Sequence, residues 1–144
     1  MRSILLFFII PLGLSLACDC FPRADKELFC AADWVGVLKI SNSSVDPDED
    51  SHRIFFNGTV SRIFKGSIGE SNHVTIETPK SSAACGIEYL EVGESYLLMG
   101  KTANGAMKMN ICGQLGTRVQ PWTNVSQEIK ENLEKRRYEP CGKE

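Results

Sequence analysis

Short hydrophobic segments, separated by turn residues, occupy most of the chain. Some alternate hydrophobic with polar residues and others are continuously apolar, and both patterns are typical of β-strands. The five segments are residues 33–41, 53–64, 73–78, 94–101 and 106–112. Asn104-Gly105 separates the last two and is a strong signal for a tight hairpin. The pattern predicts a mainly β protein whose five strands form a small closed barrel.

The pattern changes near the C-terminus, where apolar residues recur at every fourth position. They are Val125, Ile129 and Leu133. This spacing places the three side chains on one face of an α-helix, and either Asn124 or Ser126 can cap its first turn. We therefore predict a helix from about residue 125 to 137 that packs its apolar face on the barrel.

Residues 1–17 have the order of a secretory signal peptide. A positive charge at Arg2 precedes an apolar run over residues 4–10, and small residues lead up to Ala17. The apolar run is too short to span a bilayer, which takes about 20 residues. We predict cleavage after Ala17 and secretion of a soluble, one-domain chain over residues 18–144.

All six cysteines lie in the predicted mature chain. They are Cys18, Cys20, Cys30, Cys85, Cys112 and Cys141. An even number of cysteines in a secreted chain indicates disulfide bonds, but the sequence alone leaves their pairing open. A bridge between Cys18 and Cys20 would close a strained ring, so we expect both to bond to distant partners. Bridges that close long loops would each stabilise the fold by roughly 4 kcal/mol.

Charge and composition exclude several functions. The net charge is −2, so the chain lacks the basic footprint of a nucleic-acid-binding protein. Residues 41–51 are polar and acidic but lack the glycine and distal glutamate of an EF-hand, and they predict a solvated loop between the first two strands. His52 and His73 lie in no metal-binding or nucleophile motif. We predict that the protein is not an enzyme and has no cofactor of its own.

The predicted mature N-terminus, Cys18-Asp19-Cys20-Phe21-Pro22, carries the candidate chemistry. A free α-amine and the carbonyl oxygen of the same residue can together chelate a metal ion. The pKa of such an amine, about 7.7–8.0, allows it to lose its proton to zinc near neutral pH. The Cys18 sulfur would not be the ligand, because a disulfide would instead hold the chelating residue in place.

These features resemble the tissue inhibitors of metalloproteinases, specifically their N-terminal netrin-like (NTR) domain. The similarity covers essentially all of the chain after residue 17, with the cysteines in this order and short motifs between them. The motifs are Cys18-x-Cys20-x-Pro22, Phe29-Cys30-Ala31-Ala32-Asp33, Phe64-Lys65-Gly66, Ser81-Ser82-Ala83-Ala84-Cys85-Gly86, Tyr96-Leu97-Leu98-Met99-Gly100-Lys101, Ile111-Cys112, Pro121-Trp122 and Cys141.

The resemblance implies an OB-like five-stranded closed barrel with a C-terminal helix and three disulfides. The implied pairs are Cys18–Cys85, Cys20–Cys112 and Cys30–Cys141. It also implies a secreted inhibitor whose Cys18 amine and carbonyl chelate the catalytic zinc of a metalloproteinase and displace its activated water. The implied protease-contacting residues are Cys18, Asp19, Cys20, Phe21, Pro22, Ser81, Ser82, Ala83, Ala84 and Cys85.

The resemblance further implies partners and a location. The partners are secreted or membrane-anchored zinc metalloproteinases, whose zinc the inhibitor shares. We expect an extracellular monomer that binds no nucleic acid and inserts into no membrane. Three N-x-Ser/Thr sequons add possible N-glycosylation sites at Asn42, Asn57 and Asn124.

Two features depart from the family pattern. Asp19 stands where threonine or serine is usual, and its carboxylate would approach the catalytic glutamate of the protease, which disfavours ionisation of both. Only residues 142–144 follow Cys141, so functions of the C-terminal domain of vertebrate inhibitors are expected to be absent. Asp19 leaves open a netrin-like extracellular binding module without protease inhibition. A lipoprotein lipidated on Cys18 is a further alternative, but it would leave an odd number of cysteines.

Overall fold

The computed structural model describes residues 18–48, 50–68, 72–116 and 118–142, and the predicted signal peptide lies outside these ranges. The strands and helices are β1 (Trp34–Val45), β2 (Arg53–Lys65), β3 (His73–Pro79), β4 (Ser95–Ala103), β5 (Ala106–Lys108), α1 (Asp25–Ala31) and α2 (Gln127–Glu134). Short 3₁₀ helices are Ser82–Ala84, Ile111–Gly113 and Trp122–Asn124. No helix of the described ranges has the length and hydrophobicity of a membrane span.

The five strands close into a barrel in the order β1-β2-β3-β5-β4, with β4 pairing back onto β1. Neighbouring strands are antiparallel, except that β3 and β5 are parallel, with Ile76 opposite Met107 and Glu77 opposite Lys108. The predicted mainly β, OB-like barrel with a C-terminal helix and three disulfides is confirmed.

Apolar residues form two cores, one inside the barrel and one between the barrel and the helices. Successive residues of β4 show this division, because Tyr96 and Leu98 belong to the inner core whereas Leu97 and Met99 belong to the outer one. The two helices contribute to the outer core with Leu28, Phe29, Ile129 and Leu133. Because both faces are covered in the first half of β1 and at residues 96–99 of β4, these parts of the strands have nearly continuous apolar sequences rather than alternating ones.

The prediction of an irregular loop over residues 41–51 is wrong in its first half. β1 continues to Val45, which pairs with Ile54 of β2. Main-chain hydrogen bonds to β2 sustain this end of the hairpin although its β1 side chains are exposed, because strand pairing itself needs no apolar side chain. Asp46, Asp48 and Asp50 thereby lie in the turn that follows.

The fifth predicted strand is also shorter than expected. β5 ends at Lys108, and Ile111–Gly113 forms a 3₁₀ helix instead of strand. Asn110 begins that turn, because its side-chain oxygen accepts a hydrogen bond from the Gly113 N–H at 3.0 Å. Asparagine side chains often compete with strand pairing in this way, so the alternation of apolar residues through position 112 overpredicted the strand.

The C-terminal helix is confirmed with narrower bounds than residues 125–137. α2 starts only at Gln127, because the hydroxyl of Ser126 caps it by accepting the Ile129 N–H at 3.3 Å. Ile129 and Leu133 on its apolar face are buried as predicted, and Val125, which precedes the helix, is buried too. The helix therefore packs on the outside of the barrel in the outer core.

The sequence pattern does not predict α1, the helix that precedes the barrel. Its 7 residues are too few to show a clear period, although Asp25 and Glu27 suit the first turn of a helix and Phe29 is buried. Lys65 of β2 completes its C-terminal end, since its Nζ donates to the carbonyl oxygens of Phe29 and Cys30 at 2.9 and 2.8 Å. This tertiary contact fixes the end of a helix too short to be stable alone.

Candidate functional site

The residues that follow the predicted cleavage point form an exposed N-terminal segment, defined here as residues 18–22. Residues 18–24 have no regular secondary structure. Cys18 is half-buried, whereas the next four residues are exposed, and the Phe21 ring is 92% exposed. The N-terminal segment therefore presents its side chains to solvent, and its cysteines attach it to the rest of the protein.

A raised turn over residues 81–85, termed the ridge, lies beside this segment. Ser82–Ala84 forms a single 3₁₀ turn, and the Ser81 hydroxyl caps it by accepting the Ala84 N–H at 3.3 Å. Cys85 ends the turn in the left-handed conformation, with φ of 62°. The first four ridge residues are exposed and Cys85 is half-buried. Local hydrogen bonds thus hold the ridge in one shape while leaving its outer surface accessible.

Buried contacts fix the ridge to the barrel. The Gly86 N–H donates to the Ser81 carbonyl at 3.0 Å, and a Cβ at position 86 would collide with the carbonyl oxygen of Pro79. The next residue, Ile87, donates its N–H to the Thr78 hydroxyl at 3.1 Å. Thr78 is only 1% exposed, so this hydrogen bond is shielded from water. The base of the ridge is therefore a packed part of the barrel.

Two disulfides bring the N-terminal segment, the ridge and the chain after β5 together. Cys18 is bonded to Cys85 and Cys20 to Cys112, with Cα separations of 5.1 and 5.2 Å. The two bridges contact each other, because the Cys112 Sγ lies 3.5 Å from the Cys18 Sγ and 3.7 Å from the Cys85 Sγ. These adjacent bridges hold the N-terminal segment at two points only two residues apart.

The third bridge joins Cys30 of α1 to Cys141 in the C-terminal tail, with a Cα separation of 5.3 Å. Both cysteines pack against the outer core. The described residues contain no free cysteine. All three pairs are the ones that the family resemblance implies.

The disulfides leave only main-chain atoms of Cys18 for metal binding. The sulfur atoms of Cys18, Cys20 and Cys112 lie within 4.8 Å of one another, a spacing that thiolates could use to bind a metal. Each sulfur is already bonded to another, so none is a thiolate. Within the described part of the chain, the nitrogen and carbonyl oxygen of Cys18 make no hydrogen bond. The atoms of the predicted chelate therefore have no hydrogen-bond partner among the described residues.

The residues predicted to contact a protease fall into two neighbouring segments, residues 18–22 and 81–85, which the Cys18–Cys85 bridge joins. The sequon asparagines lie outside both segments. Asn42 and Asn124 are exposed, and Asn57 is half-buried in β2. The structure thus gathers the predicted contact residues into one surface, although the ridge and the N-terminal segment are 67 residues apart at their bridge.

Other motif residues have structural roles. Gly66 has φ of 73°, and a Cβ there would collide with the main-chain oxygen of Asp33. The Asp33 carboxylate accepts the Thr102 N–H at 2.8 Å, and this hydrogen bond lowers the pKa of the carboxyl below its ordinary value. The Phe64-Lys65-Gly66 and Ala31-Ala32-Asp33 motifs therefore meet in space, where they anchor α1 to the barrel.

Sequence reasoning missed Gln114, a buried side chain that supports the turn carrying Cys112. Gln114 is 3% exposed. Its Oε1 accepts the Met99 N–H at 3.1 Å, and its Nε2 donates to the carbonyl oxygens of Met99 and Asn110 at 2.7 and 2.9 Å. The side chain thus pairs with β4 as a neighbouring strand would. A single glutamine in an irregular segment carries no periodic signal that would reveal this role.

Comparison with known proteins identifies the family of this chain. The family model of the tissue inhibitor of metalloproteinase matches residues 16–143. The chain belongs to the tissue inhibitor of metalloproteinase family. A Caenorhabditis elegans protein named "Putative metalloproteinase inhibitor tag-225" is 29% identical over 150 residues, which cover 90% of this chain and 92% of the relative. Membership of an inhibitor family indicates metalloproteinase inhibition in general and does not indicate catalysis.

Proposed function

We propose that this protein is a secreted inhibitor that binds the catalytic zinc of a metalloproteinase through the α-amine and carbonyl oxygen of Cys18. The observation that carries the proposal is the position of Cys18. Its sulfur is held in a disulfide to the ridge, and its main-chain nitrogen and oxygen make no hydrogen bond to other described residues. Family membership supports a metalloproteinase as the partner.

The two adjacent disulfides prepare Cys18 for binding. An unrestrained chain terminus would lose conformational entropy when it is immobilised on a metal. Here Cys18 and Cys20 are each bonded to a well-packed part of the barrel, so most of that loss occurs when the protein folds. The inhibitor therefore presents a nearly rigid chelating residue to the protease.

The chemistry of the inhibition follows from the two Cys18 atoms. In an active metalloproteinase the zinc activates the water molecule that hydrolyses the peptide bond. The Cys18 amine and carbonyl oxygen occupy the position of that water. Residues 19–22 extend into the substrate cleft, and the ridge packs along its edge. No peptide bond of the inhibitor lies across the zinc, so nothing is cleaved.

The decisive experiment removes the amine without disturbing the fold. Acetylation turns the Cys18 amine into an amide, whose lone pair is delocalised into the carbonyl group. The same effect is expected from one alanine placed before Cys18, which also adds bulk at the metal. Both forms should keep their disulfides and their thermal stability, while inhibition of a matrix metalloproteinase should be nearly abolished. Acetylation of a lysine side chain on the same protein provides the chemical control.

Binding should also weaken as the pH falls below the effective pKa of the amine, because protons compete with zinc for the nitrogen. The pH dependence of the protease alone must be measured in parallel. If the alanine-extended form inhibits as strongly as the native form, chelation is the wrong mechanism. A netrin-like binding module without direct zinc contact would then be the better description, and the unusual Asp19 already favours it as the second candidate.

A further inference from the structure

A cavity of about 780 Å³ opens next to the proposed inhibitory surface. Its walls include Ala84 and Cys85 of the ridge and Cys112 of the second bridge, so it is continuous with that surface. The volume lies within the range of roughly 300–1,000 Å³ that is typical of ligand pockets. It is therefore large enough to receive several atoms or side chains of a partner.

The charges that line this cavity are mostly positive, and it is termed the basic groove below. Its charged or titratable lining residues are Arg23, His52, Arg53, Lys101, Lys108 and the single acid Glu77. The whole chain has a net charge of −2, so the overall composition does not explain this local excess of cations. A concave surface with one sign of charge focuses the electrostatic field on a partner.

The single acid of the groove is already engaged. The Glu77 Oε1 lies 3.1 Å from the Lys108 Nζ and 3.6 Å from the Arg53 guanidinium. Arg53 also forms an ion pair at 3.0 Å with Asp46, which lies outside the groove lining. Lys101 is 3.5 Å from Asp33, which lies outside the groove lining, but its side chain is 63% exposed. Exposed pairs of this kind contribute little and exchange partners readily. Lys101 is therefore able to turn toward an incoming anion.

Arg23 is an exposed cation of the groove that no described acid neutralises. It directly follows the N-terminal segment, is exposed, and makes no ion pair or hydrogen bond with any residue that the structure describes. Guanidinium groups bind carboxylates through two parallel hydrogen bonds, which makes arginine well suited to recognise an acidic side chain. A protease bound to residues 18–22 would therefore lie within immediate reach of Arg23.

We propose that the basic groove receives an acidic segment from the rim of the target metalloproteinase, and that Arg23 makes the first contact. This inference rests on the proposed function, because it assumes that the N-terminal segment and the ridge bind the protease. Charge complementarity across an interface chiefly accelerates association and selects partners, with a smaller effect on affinity. The basic groove would thus favour metalloproteinases that have aspartate or glutamate beside the cleft.

The test compares two charge reversals in the full, disulfide-bonded inhibitor. Arg23→Glu changes the groove, whereas Lys39→Glu makes the same change on an exposed residue of β1 that does not line the basic groove. The association rate constant is measured with a metalloproteinase that has an acidic rim. At low ionic strength Arg23→Glu should slow association about tenfold, and the effect should shrink at about 0.5 M salt. Lys39→Glu should stay within about twofold of the native protein.

Changing the acidic rim residues of the protease to amides should remove the difference in association rate constant between the native protein and Arg23→Glu. Equal association rates for native protein, Arg23→Glu and Lys39→Glu would overturn the proposal. Failure of the proposed function is distinguishable, because the native protein would then inhibit no metalloproteinase, or the alanine-extended form would inhibit as strongly as the native one.

A titration of the free inhibitor tests the groove without any protease. An oligo-glutamate peptide should shift the amide resonances of Arg23 and Lys108, and oligo-glutamine should not. An absent response, or a response to a sulfated polysaccharide alone, would also overturn the proposal.

Discussion

The buried amide of Gln114 offers a direct test of how the chain after β5 is held on the barrel. Substitution by methionine keeps nearly the same length and shape but removes one acceptor and both donors. The Met99 N–H, the Met99 carbonyl and the Asn110 carbonyl would lose their partner. Because Gln114 is only 3% exposed, water cannot easily replace the lost hydrogen bonds.

The size of the effect follows from these three contacts. A hydrogen bond contributes about 1 kcal/mol net, and a buried group left unpaired costs about 1–3 kcal/mol. The apolar methionine recovers part of the lost free energy through packing. We therefore expect Gln114→Met to lower the free energy of unfolding by about 3 kcal/mol. Small domains have a total stability of about 5–15 kcal/mol, so the change should be plainly measurable.

Urea unfolding with the disulfides intact is the appropriate assay. The fluorescence of Trp34, which is 1% exposed, reports on the barrel core. Gln127→Met is the matched control, because Gln127 is exposed and donates only to Glu131 at 3.3 Å. The control should change the free energy of unfolding by less than about 0.5 kcal/mol. A loss below about 1 kcal/mol for Gln114→Met would show that the buried amide does not support the fold as argued.

Three further predictions concern the ridge, the acid stability and the specificity. Thr78→Val should lower the free energy of unfolding by about 1–2 kcal/mol in thermal melts, because the Ile87 N–H loses its buried acceptor; a smaller loss would mean that another acceptor replaces the hydroxyl. The pKa of Asp33 is lowered from 3.8 by the Thr102 N–H, so its stabilisation is present above that pH and is lost as the pH falls further. The free energy of unfolding of Asp33→Asn should therefore depend less on pH below 4 than that of the native protein. Identical pH profiles of this free energy would contradict the argument. Asp19→Thr should strengthen inhibition of a matrix metalloproteinase about tenfold or more by removing a carboxylate near the catalytic glutamate; an unchanged inhibition constant would show that Asp19 is tolerated.

The strands and the C-terminal helix were predictable because their signals are local. The spacing of Val125, Ile129 and Leu133 predicted one amphipathic helix, and in the structure Ile129 and Leu133 lie in α2 whereas Val125 precedes it. The continuous apolar run around residues 96–99 indicated a strand, but only the structure shows that helices cover its outer face. The predicted bounds of β5 and β1 are wrong at positions where polar residues determine the course of the chain. Asn110 ends β5 with a side-chain hydrogen bond, and β1 extends through exposed residues by main-chain pairing alone.

The candidate site was likewise predictable in part from the sequence, whereas its packing was seen only in the structure. The Cys18-x-Cys20 pair and the small residues before it are local features of the sequence, and together with the even number of cysteines they led to the prediction of an N-terminal chelating residue. The contact of the two bridges, with sulfur atoms 3.5 Å apart, was not predictable from spacing, because each bridge joins segments at least 67 residues apart. Family resemblance supplied the pairing, but not the packing between the bridges.

The sequence by itself therefore determined the class of fold and the positions of most strands, because these depend on local periodicity and residue type. The tertiary structure decided which distant segments meet. It placed Arg23 beside Lys101 and Lys108 in one groove and buried Gln114 against β4. Such arrangements depend on barrel closure and on hydrogen bonds between segments far apart in sequence, and no local pattern records them.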